Sequence, residues 1–117
     1  MNRQDLLAYA KENFKTIPDY PWLRFSEYVV LRHQGNKKWY GLVMNVSGDR
    51  LGLKSKDHVD ILNVKVNPES SYFLQLKPYI FPAYHMNREH WVSILLNGSA
   101  SDDEIILLLE QSYKLTK

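Results

Sequence analysis

Apolar residues at Leu6, Ala10, Phe14 and Ile17 are spaced four, four and three apart, which lays them along one face of a helix over residues 2–15. Asn2 is placed to cap that helix and Pro18 to stop it. Pro18-Asp19-Tyr20-Pro21-Trp22 then reads as a stiff, turning connection. The period changes to two over Tyr28–His33 and Lys38–Val46, predicting strands joined by a hairpin at Gln34-Gly35-Asn36-Lys37. On the second strand Tyr40, Leu42, Met44 and Val46 alternate with Trp39, Gly41, Val43 and Asn45. A longer connection over 47–56 leads to a third strand, Val59–Val66. There Leu62, Val64 and Val66 oppose Ile61, Asn63 and Lys65.

Asn67-Pro68-Glu69 opens a short helix, because proline is favoured in a first turn. Pro78 and Pro82 bracket an extended passage, with room for a strand in 79–84. A further strand comes next, in which Val92, Ile94 and Leu96 alternate with Trp91, Ser93 and Leu95. Ser101-Asp102-Asp103-Glu104 has the spacing of a capping box for a last helix. Ile105 through Leu109 are all apolar, more than one helical stripe, so part of that helix is expected against another element, a protein partner or a second copy. The order α-β-β-β-α-β(β)-α predicts one α+β domain over 1–117: a two-layer sandwich of mostly antiparallel sheet backed by helices.

Composition narrows the function classes. With 117 residues, 44% hydrophobic and 24% charged, the chain is an ordinary globular domain. It contains no cysteine, which excludes disulfides, thiol nucleophiles and cysteine-based zinc sites. No apolar run approaches the ~18 residues of a membrane helix, and the polar N-terminus does not read as a signal peptide; a cytoplasmic protein without membrane contact is expected. The net charge of +2 is small but uneven. Lys37, Lys38, Arg50, Lys54 and Lys56 are opposed between 34 and 58 only by Asp49 and Asp57, whereas the C-terminal segment is acidic.

One stretch is unlike a generic loop: Pro82-Ala83-Tyr84-His85-Met86-Asn87-Arg88-Glu89-His90-Trp91, which packs rings, imidazoles and an amide between a proline and an apolar strand. It resembles the signature of the MmcQ/YjbR family, small bacterial proteins commonly described as DNA-binding. There a Tyr-His-Met-Asn-Lys-x-His-Trp run leads into a strand, a turn and a C-terminal helix; here Arg88 stands for the usual lysine. Lys37-Lys38-Trp39-Tyr40, the segment Asn63 to Glu69, the Leu96-Asn97-Gly98-Ser99 turn and Ser112-Tyr113 also match. The resemblance implies a mostly antiparallel sheet backed by helices, with two hairpin wings, and DNA as partner. The helix-and-sheet order is also similar to frataxin-like (CyaY-like) sandwiches.

Several chemistries compete for these residues. His85 and His90 are five apart, unlike the three or four that place two ligands on one helix face, so no metal or other cofactor is expected. Neither histidine has a nucleophile or orienting carboxylate at recognisable spacing, and the glycines form no phosphate loop, so no catalytic residues are expected and the protein is read as a non-enzyme. Two binding surfaces remain. The wings would hold DNA phosphates through Lys37, Lys38, Arg50, Lys54, Lys56 and Arg88, without base readout, since no recognition helix is visible. Phosphate contacts by the five wing cations, without Arg88 on the adjoining edge, predict a slope of about −4.5 for log affinity against log salt. Alternatively the sheet face away from the helices, expected to carry Trp39, Asn45, Asn63, Lys65, Trp91 and Ser93, would serve a small ligand or a protein. In both readings Tyr84, His85, Asn87, His90 and Trp91 shape or line the adjoining surface.

Overall fold

Asn2 and Asp5 close a reciprocal capping box at the start of α1 (Arg3–Phe14), and Lys15 ends the helix in the left-handed region at φ 57°. This stop comes three residues before Pro18. Ile17, expected on the apolar helix face, is therefore 80% exposed beyond the helix. The computed structural model describes all 117 residues. β1 (Val29–Arg32) and β2 (Trp39–Ser47) form the first hairpin. A 3₁₀ turn at Gly48–Leu51 begins the second connection, which leads to β3 (His58–Lys65). α2 (Pro68–Leu74), β4 (Ile80–Pro82), β5 (Trp91–Leu95) and α3 (Asp102–Leu115) complete the chain. The strands make one antiparallel sheet in the order β1-β2-β3-β5-β4. Helices and sheet thus form the expected α+β sandwich. No helix is long and apolar enough to cross a membrane.

The edges are managed locally. β4 is only three residues long and ends in Pro82, which an edge strand tolerates. Asp19 pairs with Val30 as an isolated bridge on the outer side of β1. In the second connection Gly48 is packed so closely that a Cβ there would lie 2.7 Å from the carbonyl oxygen of Ser55.

The larger core lies between sheet and helices. Leu6 and Ala10 of α1 and Ile105, Leu108 and Leu109 of α3 pack with Val29, Leu31, Val43, Leu62, Val64, Val92 and Ile94. Of the apolar run in α3, Leu107 alone is exposed. Ser101 caps α3 through its hydroxyl, but the Glu104 side chain does not return the bond. Its carboxylate instead accepts from Lys77 Nζ at 2.8 Å and from the Tyr79 hydroxyl, tying α3 to the chain before β4.

One expectation is corrected by a β-bulge. Leu31 pairs with Gly41 and Arg32 with Trp39, leaving Tyr40 as an extra residue in β2. Beyond the bulge the alternation is inverted. Tyr40 therefore joins Val43 in the helix-side core, while Leu42, Met44 and Val46 belong with Trp39 to the cluster on the opposite face. Asn45, expected beside Trp39, lies on the helix side and donates to Asp60 at 3.0 Å. The Ser112 hydroxyl fills the gap at the bulge. It donates to the Tyr40 carbonyl at 2.6 Å and accepts from the Lys65 amide at 2.8 Å.

His33 is buried where the first hairpin meets the end of α3. Thr116 donates its hydroxyl to the Ser112 carbonyl and accepts from His33 Nε2 at 2.7 Å. Burial holds the imidazole below its usual 6.5, with Lys117 and Lys38 acting the same way against the opposing Tyr113 backbone. The unfolded chain therefore binds the proton more readily, and stability must fall as pH drops from 6.5 towards the folded-state value. Urea unfolding between pH 7 and 5 is expected to show the wild type losing stability relative to His33→Gln. A relative gain would contradict the sign.

Candidate functional site on the open face of the sheet

The face away from the helices carries Val30, Leu42, Met44, Val46, Ile61 and Leu95. So apolar a surface needs cover, and three loops supply part of it: Trp22 and Tyr28 before β1, Leu51 and Leu53 after β2, and Tyr84 and Met86 after β4. The first loop is held at both ends. Asp19 takes an ion pair from Arg32 at 2.8 Å, and Arg3 Nη1 donates to the Glu27 carbonyl at 2.7 Å. The third is fastened to the sheet by a closed ring of bonds. Asn63 Nδ2 donates to the Tyr84 carbonyl, the Tyr84 amide donates to Ser93 Oγ, and Ser93 donates to Asn63 Oδ1.

Between the loops lie two hollows. The apolar one, about 310 Å³, is lined by Trp22, Phe25, Tyr28, Trp39, Leu42, Met44, His85 and Met86. Its rings are set by mutual contact: Trp22 meets Trp39 edge-on at 5.9 Å and Tyr28 at 6.0 Å, while Phe25 stacks on Tyr28 at 4.9 Å. The Arg32 guanidinium lies 5.2 Å from the Trp39 ring centre, a cation–π contact. His85 adopts φ 60°, the left-handed region, and its ring lies 4.0 Å from that of Tyr84. The second hollow, about 750 Å³, is more polar; it is lined by Arg24, Ser47 and Arg50 and, past the Val29 end of β1, by Asn45 and His58 from the helix side of the sheet. Phe25, Tyr28 and His85 line both.

The polar hollow has a defined hydrogen-bond pattern. Asn45 gives its amide N–H to Asp60, so its carbonyl oxygen accepts from His58 Nδ1 at 2.8 Å, which leaves Nε2 of the neutral ring as an acceptor. Asp60 is itself held by Arg3 Nε at 3.2 Å and Nη2 at 2.9 Å. Burial alone would raise the Asp60 carboxyl, but the bonds from Arg3 and Asn45 bring it below its usual range. Tyr28 is pushed up by burial and by Tyr84 against the pull of Arg50, so its phenol remains a hydrogen-bond donor near neutral pH.

The singled-out cations are divided by the fold. Lys37 and Lys38 follow β1 and Arg50, Lys54 and Lys56 follow β2, so the two groups sit at opposite ends of a nine-residue strand, about 26 Å apart at ~3.3 Å per residue. They also lean to different faces. The first turn is tied to the helix layer by Asn36 Nδ2 on the Thr116 carbonyl and Gln34 on the Lys15 carbonyl. The second packs Leu51 and Leu53 onto the open-face cluster. Arg88 lies beside α2, with Ser71, Tyr72 and Gln75. All six cations are exposed and none has a carboxylate within ion-pair distance, whereas Arg3, Arg32 and Lys77 are paired.

Of the remaining expected residues, Trp39, Tyr84 and His85 reach the hollows, while Lys65 and Trp91 face each other across β3 and β5 outside them. Asn87 holds its own loop, accepting from the Glu89 amide at 2.8 Å, and His90 lies 4.0 Å from the Glu89 carboxylate. Asn63 and Ser93 are on the expected face but are buried and consumed in fastening Tyr84. The site residues not anticipated are Trp22, Arg24, Phe25, Tyr28, Met44 and His58. A signal for Trp22, Phe25 and Tyr28 existed: with Tyr20 they put four rings into nine residues of non-repeating chain.

The sequence profile of the YjbR family matches residues 14–115. The chain belongs to the YjbR family. It is 48% identical over 117 residues to the uncharacterized protein YyaQ of Bacillus subtilis, covering 100% of this chain and 99% of that one. The uncharacterized protein YjbR of Escherichia coli K12 is 30% identical over 63 residues, 53% of each chain. The fold is similar to the crystal structure of a Pseudomonas syringae protein, with a TM-score of 0.98 and 45% identity over 100% of both chains. A Deinococcus radiodurans protein, DR2400, matches at a TM-score of 0.73 and 26% identity over 97% of this chain and 77% of its own.

Proposed function

We propose that this YjbR-family protein is a non-enzymatic nucleic-acid-binding protein that holds phosphates without reading base sequence. The observation that carries the reading is the set of unpaired, exposed cations on the second hairpin and the adjoining loop, Arg24, Arg50, Lys54 and Lys56. Arg24 and Arg50 line the polar hollow beside one further donor, the Tyr28 phenol. Free guanidinium and ammonium groups at a groove are what phosphate contacts need, since an already paired cation releases no counterion on binding.

Geometry refines the expectation from sequence. Lys37 and Lys38 lie at the far end of β2 and lean towards the helices, so a strand on the open face meets about four cations, not five together with those of the first turn. With four contacts the slope of log affinity against log salt is then about −3.6 for duplex DNA, at about −0.9 per neutralised phosphate, and about −2.8 for a single strand, at about −0.7. Fluorescence anisotropy of labelled DNA at several salt concentrations tests this. Changing Arg50, Lys54 and Lys56 to Glu is expected to abolish binding and Lys37→Glu with Lys38→Glu to weaken it less than threefold. No binding at low salt would sink the reading. The second reading, a small-ligand module, is favoured by the apolar hollow, whose lining is mostly rings and Met side chains.

A further inference from the structure

The apolar hollow has no role in phosphate binding, yet it shares a wall with the compartment that does. Its floor is sheet, Leu42 and Met44, and its sides are the rings of Trp22, Phe25, Tyr28, Trp39 and His85. Phe25 remains 52% exposed and Leu23 of the same loop 99% exposed, so the loop does not close over the cavity. Flat apolar walls suit a planar ring, and every nucleobase has a π-face to offer them. The neighbouring cations suit an anionic tail attached to that ring. One hollow without the other would be less specific.

Resting on the nucleic-acid reading above, we infer that the apolar hollow takes an unstacked base of a single-stranded nucleic acid while Arg24 and Arg50 hold the adjoining phosphates. The shared residues Phe25, Tyr28 and His85 stand where base passes into backbone. A duplex must surrender a stacked, paired base before entering, at a cost of unstacking, so single strands bind better. Sequence preference is weak, because stacking does not read base edges.

The test is a titration of the protein with a 12-nucleotide dT strand, the matching dT·dA duplex and thymidine 5′-monophosphate, read by anisotropy and by tryptophan fluorescence. The expected result is at least tenfold tighter binding of the strand than of the duplex, with quenching that Trp39→Phe reduces. Phe25→Ala, at a half-exposed position that spares the fold, is expected to weaken the strand about tenfold and the duplex less than twofold. Equal affinity for strand and duplex, unaffected by Phe25→Ala, would overturn the inference and leave phosphate binding standing. Monophosphate binding as tight as the strand would overturn it in favour of a free nucleotide. Failure of all three probes at low salt would remove the nucleic-acid reading itself.

Discussion

Replacing Ser112 by alanine is expected to remove about 2–6 kcal/mol of stability, although the lost group is one hydroxyl. The bulge at Tyr40 separates two backbone groups that an unbroken ladder would have joined, the Tyr40 carbonyl and the Lys65 amide. Ser112 has no solvent exposure and satisfies both at once. Alanine leaves a buried acceptor and a buried donor without partners, each costing about 1–3 kcal/mol. Against a domain stability of roughly 5–15 kcal/mol, that is a large fraction. Urea unfolding would show a lower midpoint with an unchanged slope, and the Lys65 amide would exchange with solvent faster than in the wild type. A loss under about 0.5 kcal/mol would mean that the ladder closes without the serine.

The same bulge shows where reading the sequence stops. Period-two alternation places β2 and β3 within a residue or so of their observed bounds, because burial on two faces of a sheet imposes it. Nothing in Trp39–Val46 marks the inserted residue; the partner that makes it tolerable is Ser112, 72 positions away. A one-residue insertion reverses the face of every later residue in the strand, so Leu42 and Met44 exchange sides with Asn45 relative to the uninterrupted pattern. The end of α1 was legible to within a residue, but Ile17, three residues past Phe14, does not continue its apolar face as the spacing implies, because the left-handed Lys15 turns the chain away before it.

The site divides along the same line. The stretch from Tyr84 to Trp91 was legible as unusual because its composition is, and Tyr84, His85 and Met86 do reach the open face. The role of each member was not legible, since Asn87 turns back on its own loop and Arg88 goes to α2. The loop of Trp22, Phe25 and Tyr28 is brought to Trp39 by contacts of Asp19 with Val30 and Arg32 and of Arg3 with Glu27, which join parts of the chain distant in sequence.

Asn63→Ala should separate the site from the fold. Asn63 has no solvent exposure, donates to the Tyr84 carbonyl at 2.9 Å and accepts from Ser93. Truncation strands the carbonyl, frees the Ser93 hydroxyl and leaves a small void, for a loss of about 2–3 kcal/mol. That is within the range expected for Ser112→Ala, but the two lesions lie on opposite faces of the sheet. Asn63 pins the loop that supplies Tyr84 and His85 to the hollows, and Ser112 touches neither. Under conditions where both variants are folded, Ser112→Ala is expected to bind the dT strand as the wild type does and Asn63→Ala about tenfold more weakly. Equal binding by the two would show that the loop keeps its place without the bonds Asn63 makes, and that packing and the Tyr84 amide bond to Ser93 suffice to hold it.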